Sequence, residues 1–181
     1  MIEHVLVGLA LVLGLAGGYQ LARRWSGRGS DDGSEAVHQI LLPFTGTEIS
    51  RRALDAALRL ARAEHATLMP AYLASVPKRL PLDCAIPAEA AKAMPLLEAI
   101  EQRATTQGVA VDSRIERGRS YRHALARLLE RETFDRVVVP AGVGSDDGGL
   151  SGEDLVWVLE RAPAEVLILR PGPGDVSRVI A

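Results

Sequence analysis

The chain has 181 residues, of which 48% are hydrophobic and 24% charged, enough for one globular domain and one short additional segment. A formal net charge of -2 gives no indication of nucleic-acid binding. The single cysteine, Cys84, excludes an intramolecular disulfide and a cysteine-cluster metal site, and the histidines show no ligand spacing.

The first predicted element is a transmembrane helix over residues 5–22, within an anchor of residues 1–25. Residues 5–22 carry no charge and, at the rise of an α-helix, cover ~27 Å, about the thickness of a bilayer core. Arg23, Arg24 and Arg28 follow the apolar run, whereas a cleaved signal peptide has its basic residues before it. The positive-inside rule therefore predicts a single-pass protein of the inner membrane, with its amino terminus outside and its domain in the cytoplasm.

Small residues recur at every fourth position of this segment, at Ala10, Gly14, Gly18 and Ala22. Such a strip lets another transmembrane helix approach closely, which favours a membrane-protein partner. The alternative is that small residues are simply common in transmembrane helices. Residues 26–36 are rich in Gly, Ser and Asp and are predicted to form a flexible linker.

A soluble domain is predicted over residues 37–172, with a tail of residues 173–181. Apolar or alternating runs predict five strands, at residues 37–43, 67–73, 109–115, 137–139 and 166–169. Leucine and alanine at helical spacing predict the intervening helices, over about residues 47–65, 88–107, 121–132 and 152–162. This alternation predicts an α/β fold with a five-stranded parallel, doubly wound, Rossmann-like sheet, and ligands beyond the carboxyl ends of its strands.

Two proline-bearing stretches depart from the regular pattern. Pro70 lies inside the second predicted strand, which indicates an edge position or a bulge. Residues 74–87 form a loop that is long for a compact domain, so a lid or a partner surface is expected there.

A glycine-rich loop joins the fourth strand to the last helix. Its glycines are Gly142, Gly144, Gly148, Gly149 and Gly152. The following helix is predicted to have a serine N-cap, with an acidic residue three positions later. A loop in this position binds phosphates in many α/β folds, although glycines also make ordinary loops.

Several stretches together resemble the universal stress protein family over residues 37–171. They are residues 40–48, Gly108-Val109, Gly118, residues 135–139 and residues 152–170. The resemblance implies the family's parallel α/β fold. It also implies a homodimer formed through the last strand, here residues 166–169.

Family members that bind ATP carry an aspartate after the first strand and a loop of the form Gly-x2-Gly-x9-Gly-Ser/Thr. This chain has Thr45 at the aspartate position, Pro140 at the first glycine and Glu153 at the Ser/Thr, while Gly142 and Gly152 keep their spacing. The resemblance therefore places a degenerate nucleotide site at Thr45, Gly142, Gly144, Gly152 and Glu153.

The departures all weaken phosphate binding. Proline has no N–H to donate, and a glutamate replaces a hydroxyl donor by a negative charge that itself complements the helix dipole. We therefore expect no cofactor and no metal, with ATP as the alternative. A divalent metal bridging Asp146, Asp147 and a phosphate would reverse the charge argument.

No nucleophile–base pairing is visible, because Ser145 and Ser151 have no histidine near them in the sequence. Proximity of His38 or His123 in the fold stays open. We therefore predict no catalytic residues and no enzyme activity. The expected function is that of a membrane-anchored regulatory or accessory subunit of a membrane protein complex. The alternative is a membrane-tethered ATP-binding stress sensor.

Overall fold

The computed structural model describes residues 38–142, 148–170 and 176–177, which form seven strands and four helices. In chain order these elements are β1 (Gln39–Phe44), β2 (Ile49–Ser50), α1 (Arg51–Ala63), β3 (Thr67–Ser75), α2 (Pro87–Thr106), β4 (Arg114–Gly118), α3 (Tyr121–Arg131), β5 (Arg136–Pro140), α4 (Gly152–Arg161), β6 (Glu165–Leu169) and β7 (Val176–Ser177).

The main sheet has five strands in the order β4-β3-β1-β5-β6. Every neighbouring pair in it is parallel. The chain builds outward from β1 to β3 and β4, and then returns to the other side of β1 to add β5 and β6. The predicted five-stranded parallel sheet is thus confirmed, and its topological switch point lies between β1 and β5.

Helices cover both faces of the sheet, because alternate residues of each buried strand point to opposite sides. Ile40, Leu42 and Phe44 of β1 pack in one cluster with the buried faces of α1 and α2. Leu41 packs in the other cluster with α3 and α4. The strands that meet helices on both faces are accordingly continuous apolar runs, as in other parallel sheets.

Pro70 does not mark an edge strand, so that part of the sequence prediction is wrong. Residues of β3 pair with β1 on one side and with β4 on the other. Pro70 lies between an isolated bridge, Leu68 to Val111, and the continuous pairing with β4 that begins at Ala71. The missing N–H is accommodated because the ladder to β4 is interrupted at this point.

Helix α1 begins later than the predicted start near Thr47. The side chain of Ser50 caps it, with Oγ accepting a hydrogen bond from the N–H of Ala53 at 3.2 Å. The preceding residues form a turn in which Gly46 has a φ of 74°. An N-cap serine sets the start of a helix more sharply than the apolar periodicity does.

A short second sheet involves the predicted tail. Ile49 and Ser50 of β2 pair antiparallel with Ser177 and Val176 of β7. No helix of the described residues is both long and apolar enough to cross a bilayer. The predicted span over residues 5–22, with its strip of small residues, lies outside the described residues and stays a prediction.

Candidate functional site

The candidate site lies at the switch point, where Thr45 follows β1 and residues 141–142 follow β5. Of the predicted site residues, Thr45, Gly142, Gly152 and Glu153 are described by the structure, and Gly144 lies outside the described part. The sheet topology brings Thr45 and Gly142 to the same edge of the sheet, as the parallel order requires.

Thr45 is only 2% exposed, and both of its donors face the chain's own backbone. Its N–H donates to the carbonyl oxygen of Gly148 at 3.2 Å. Its hydroxyl Oγ1 lies 3.5 Å from the carbonyl oxygen of Gly149, a weak contact. The position where ATP-binding relatives carry an aspartate is therefore covered by the end of the glycine-rich loop.

We call Gly148–Leu150 the closing segment, because it lies across the ends of β1 and β5. Gly148 has a φ of 69°, and a Cβ added to it would stand 1.9 Å from the carbonyl oxygen of Glu48. Leu150 is 2% exposed and belongs to the core beneath α3 and α4. The segment is thus held by a buried side chain and by a backbone contact that only glycine permits.

Gly142 takes part in this closure instead of presenting a free amide. Its N–H donates to the carbonyl oxygen of Leu150 at 2.8 Å, and the N–H of Leu150 donates to the carbonyl oxygen of Pro140 at 2.9 Å. A Cβ on Gly142 would stand 2.9 Å from backbone atoms of Gly149. The glycine that preserves the family spacing therefore permits close backbone packing here.

The N-terminus of α4 is capped by side chains of the same chain. Ser151 Oγ accepts from the N–H of Asp154 at 3.2 Å and donates to Oδ2 of Asp154 at 2.8 Å. The predicted serine cap is confirmed. Glu153 and Asp154 place two acidic residues in the first turn, where they complement the helix dipole.

Arg122 of α3 makes a contact that sequence reasoning missed. Its Nε and Nη2 donate to Oδ1 of Asp154 at 3.1 and 3.0 Å. Its guanidinium lies 5.9 Å from the ring centroid of Trp157, within cation–π range. Asp154 was recognisable as part of a cap, but no local pattern points to a partner 32 positions earlier.

A cation that a phosphate would otherwise attract is therefore already paired in the chain. Gly152 is exposed and, unlike Gly142 and Gly148, does not permit a close backbone contact, since a Cβ on it would meet no atom within 4 Å. Glu153 is also exposed, beside the cap that Ser151 and Asp154 form.

The two histidines considered as partners of a loop serine are engaged elsewhere. His38 Nδ1 lies 3.1 Å from Asp135 Oδ1, before the amino ends of β1 and β5. His123 Nδ1 accepts from the N–H of Arg119 at 2.9 Å. The backbone N–H of Gln39, at 2.7 Å, and then His38 lower the pKa of Asp135.

Within the described part of the chain, no group of three or more His, Cys, Asp and Glu side chains is arranged to hold a metal ion. The adjacent Asp146 and Asp147, considered as metal ligands, lie outside that part.

Comparison with known structures agrees with this architecture. A universal stress protein from Burkholderia pseudomallei is 24% identical, with a TM-score of 0.55 over 76% of this chain and 98% of its own. The universal stress protein UspA from Lactobacillus plantarum is 19% identical, with a TM-score of 0.59 over 74% of this chain and 97% of its own. A universal stress protein solved in complex with cAMP is 21% identical, with a TM-score of 0.52 over 76% and 100%.

These identities are all below 25%, so the three likenesses concern the fold. No curated protein matches the chain. The family model of the universal stress proteins, in contrast, matches residues 36–170, which is most of the chain. The chain belongs to the universal stress protein family.

Proposed function

We propose that this protein is a membrane-anchored, non-catalytic universal stress protein that acts as a regulatory or accessory subunit of a membrane protein complex. The observation that carries the proposal is the closing segment, in which the carbonyl oxygen of Gly148 accepts a hydrogen bond from the N–H of Thr45. In the state described, the switch-point crevice is covered by the chain itself.

Electrostatics at α4 favour the same interpretation. Asp154 already occupies the N-terminus of the helix and pairs with Arg122. An entering phosphate would meet Glu153 nearby, and a carboxylate ~4 Å from a phosphate oxygen costs on the order of 1–4 kcal/mol. Each 1.4 kcal/mol weakens binding about tenfold. A domain with such a weakened site suits a function in binding other proteins.

Membrane anchoring rests on the uncharged run at residues 5–22 and the arginines that follow it. Carbonate-washed membranes should retain the full chain and release a variant that lacks residues 1–25. A reporter fused after residue 181 should show the cytoplasmic side. Full release of the intact chain by carbonate would remove the anchor from the proposal.

Self-association through β6 is supported by its place at the edge of the sheet. Among the described residues, no strand pairs with the outer side of β6, and Ile168 is 39% exposed. Helix α4 beside it exposes Val156 and Leu159 by 56% and 58%. An apolar edge strand of this kind is a natural site for pairing with a second copy.

The oligomeric state tests this surface. Ile168→Lys should convert a dimer into a monomer in light-scattering measurements. Met94→Lys is the matched control, because Met94 is 47% exposed but lies on α2. A wild-type protein that is already monomeric, or an equal effect of both substitutions, would contradict pairing through β6.

A second candidate function is that of a membrane-tethered nucleotide-binding stress sensor. It is favoured by the relative solved in complex with cAMP, and that structure counts against the expectation of no cofactor. For this chain to bind a nucleotide at the switch point, the closing segment has to move away from Thr45. The sensor therefore requires the closing segment to open and a nucleotide to bind, whereas the accessory subunit requires neither.

Calorimetry with ATP, AMP and cAMP, with and without Mg²⁺, decides between them. The matched variant restores the family residues through Thr45→Asp, Pro140→Gly and Glu153→Ser. A silent wild-type protein and a binding variant would support the accessory function. Micromolar binding by the wild-type protein would overturn it and establish the sensor.

A further inference from the structure

An arginine-lined cavity lies at the other edge of the sheet, beside β4, with a volume of about 320 Å³. Its lining residues come from β4, α3 and the loop after β3, and are Leu82, Asp83, Ile115, Glu116, Arg117, Arg127 and Arg131. We propose that this cavity, hereafter the β4 cavity, binds a phosphoryl group, either as free phosphate or as part of a small phosphate ester.

Two of its three arginines form no ion pair with the described residues, although Asp83 also lines the cavity. Arg131 Nη2 donates to Glu116 Oε2 at 2.5 Å, and that glutamate is only 8% exposed. Within residues 38–142 and 148–170, in contrast, Arg117 and Arg127 have no carboxylate at ion-pair distance. The lining of the β4 cavity thus carries three arginines against two carboxylates, Asp83 and Glu116, and this net positive charge favours an anion.

Both guanidinium groups are held in place by backbone carbonyls. Arg117 Nη1 donates to the carbonyl oxygen of Asp83 at 3.1 Å. Arg127 Nη1 donates to the carbonyl oxygen of Arg117 at 3.1 Å. Each planar fork has five N–H donors, so donors remain for a ligand after these bonds. Their orientation is set before a ligand arrives, which lowers the entropic cost of binding.

The walls of the β4 cavity strengthen this preference. Leu82 and Ile115 contribute apolar surface next to the charged forks. A partly apolar wall reduces the local dielectric constant and so strengthens attraction between a guanidinium and an anion. Arginine binds carboxylates and phosphates in two-point fashion, and a compact anion with several oxygens can contact both forks.

The open edge of β4 is a less suitable site for an added peptide strand. The carbonyl of Gly118 accepts from the N–H of Val76, on the side of β3. Since neighbouring residues of a strand direct their carbonyls to opposite sides, the carbonyl of Arg117 faces the open edge. Arg127 already occupies that carbonyl, so a pairing strand would have to displace it. The volume of the β4 cavity also lies at the lower end of the range for small-molecule sites.

The test is an NMR titration of the isotope-labelled full chain with inorganic phosphate and with glycerol 3-phosphate, at constant pH and ionic strength. Saturable shifts are expected at the amides of Leu82, Ile115 and Arg117. Whichever ligand binds more tightly identifies the source of the phosphoryl group. Absence of saturation up to about 10 mM of both ligands, or shifts confined to Thr45 and Gly142, would overturn the proposal.

Substitutions test whether the guanidinium groups of the β4 cavity bind the phosphoryl group. Arg127→Gln should weaken binding by about tenfold or more, since it removes a charged donor. Arg127→Lys keeps the charge but loses the fork, so an intermediate loss is expected. The control is Arg59→Gln, which removes an exposed arginine of α1 outside the β4 cavity. An equal loss in the control would mean that only overall charge matters.

A variant that leaves the arginines intact separates loss of the binding site from loss of the fold. Leu82→Glu adds a carboxylate to the wall of the β4 cavity and should reduce phosphate binding as strongly as Arg127→Gln. Thermal unfolding shows whether each variant remains folded. Undiminished binding by a folded Leu82→Glu variant would contradict the site. The substitutions leave the switch-point residues intact, and shifts at Thr45 and Gly142 are scored apart from those at the β4 cavity, so this inference and the proposed function can fail separately.

Discussion

Replacing Gly148 by alanine tests whether the closing segment is packed as described. The added Cβ would stand 1.9 Å from the carbonyl oxygen of Glu48 and 2.8 Å from its carbonyl carbon. Normal carbon–oxygen contacts begin near ~3.3 Å, so the segment has to move by more than 1 Å. Both obstructing atoms belong to the backbone, which cannot rotate away as a side chain can.

The expected cost has two parts. A non-glycine residue at a φ of 69° costs about 1–2 kcal/mol. Displacing the segment also breaks the bond from the N–H of Thr45, and an unsatisfied buried donor costs about 1–3 kcal/mol. Gly148→Ala should therefore lower the free energy of unfolding by about 2–4 kcal/mol, since a full sum is reached only if nothing relaxes.

Two other glycines separate these contributions. Gly108 also has a φ of 69°, but a Cβ on it would meet nothing within 4 Å, so Gly108→Ala should show the backbone cost alone. Gly152 opens α4 with free space around it and no positive φ, so Gly152→Ala should be neutral or slightly stabilising. From most to least stable, the expected order of the variants is Gly152→Ala, Gly108→Ala and Gly148→Ala.

Urea denaturation of the full chain gives the three free energies, and hydrogen exchange reports the Thr45 amide directly. Exchange at Thr45 should accelerate in Gly148→Ala alone. If Gly148→Ala costs no more than Gly108→Ala, and the Thr45 amide stays protected, the closing segment does not cover the crevice as described.

Substitutions at three further positions probe the cap of α4, the core and the response to acid. Ser151→Ala should cost about 1 kcal/mol by removing the cap of α4, whereas Ser151→Gly should cost only a few tenths in the same denaturation assay. Tyr72→Phe removes the bond to Glu89 at 3.0 Å and should cost about 0.5–1.5 kcal/mol. Burial raises the pKa of Tyr72 above its ordinary 10.0, so wild-type stability should fall with alkaline pH above that value, and less so in the variant. The pKa of Asp135 is lowered in the folded state, so its contribution is present above the ordinary 3.8 and is lost as the pH falls toward the folded pKa. Urea midpoints between pH 6 and pH 3 should therefore fall less steeply in Asp135→Asn than in the wild-type protein, and equal slopes would contradict the assignment.

Local patterns were sufficient for much of the fold. Continuous apolar runs such as the one at β5 predict strands buried on both faces, and the helical stripes of leucine and alanine predict the intervening helices. Their alternation predicts a parallel sheet, because parallel strands need crossover connections. The cap at Ser151 was also visible, since a cap depends on residues only three positions apart.

Features that depend on distant residues could not be predicted in this way. Pro70 was expected at an edge position or a bulge because a proline lacks an N–H, and only the pairing of β3 shows that the ladder is interrupted at that point. The pair between Arg122 and Asp154 joins two helices, and the arginines of the β4 cavity come from a strand and a helix. Such contacts depend on how elements pack, which periodicity does not encode.

The sequence by itself determined the family's fold, the order of its elements and the departures from the ATP-binding motif at Thr45, Pro140 and Glu153. The tertiary structure decided what those departures accompany, namely a closing segment that folds over the ends of β1 and β5. The physical reason is that a glycine in a sequence shows only that another backbone segment can approach it closely, because it has no Cβ. Which carbonyl it approaches, here that of Glu48 from Gly148, is settled by the packing of the whole domain.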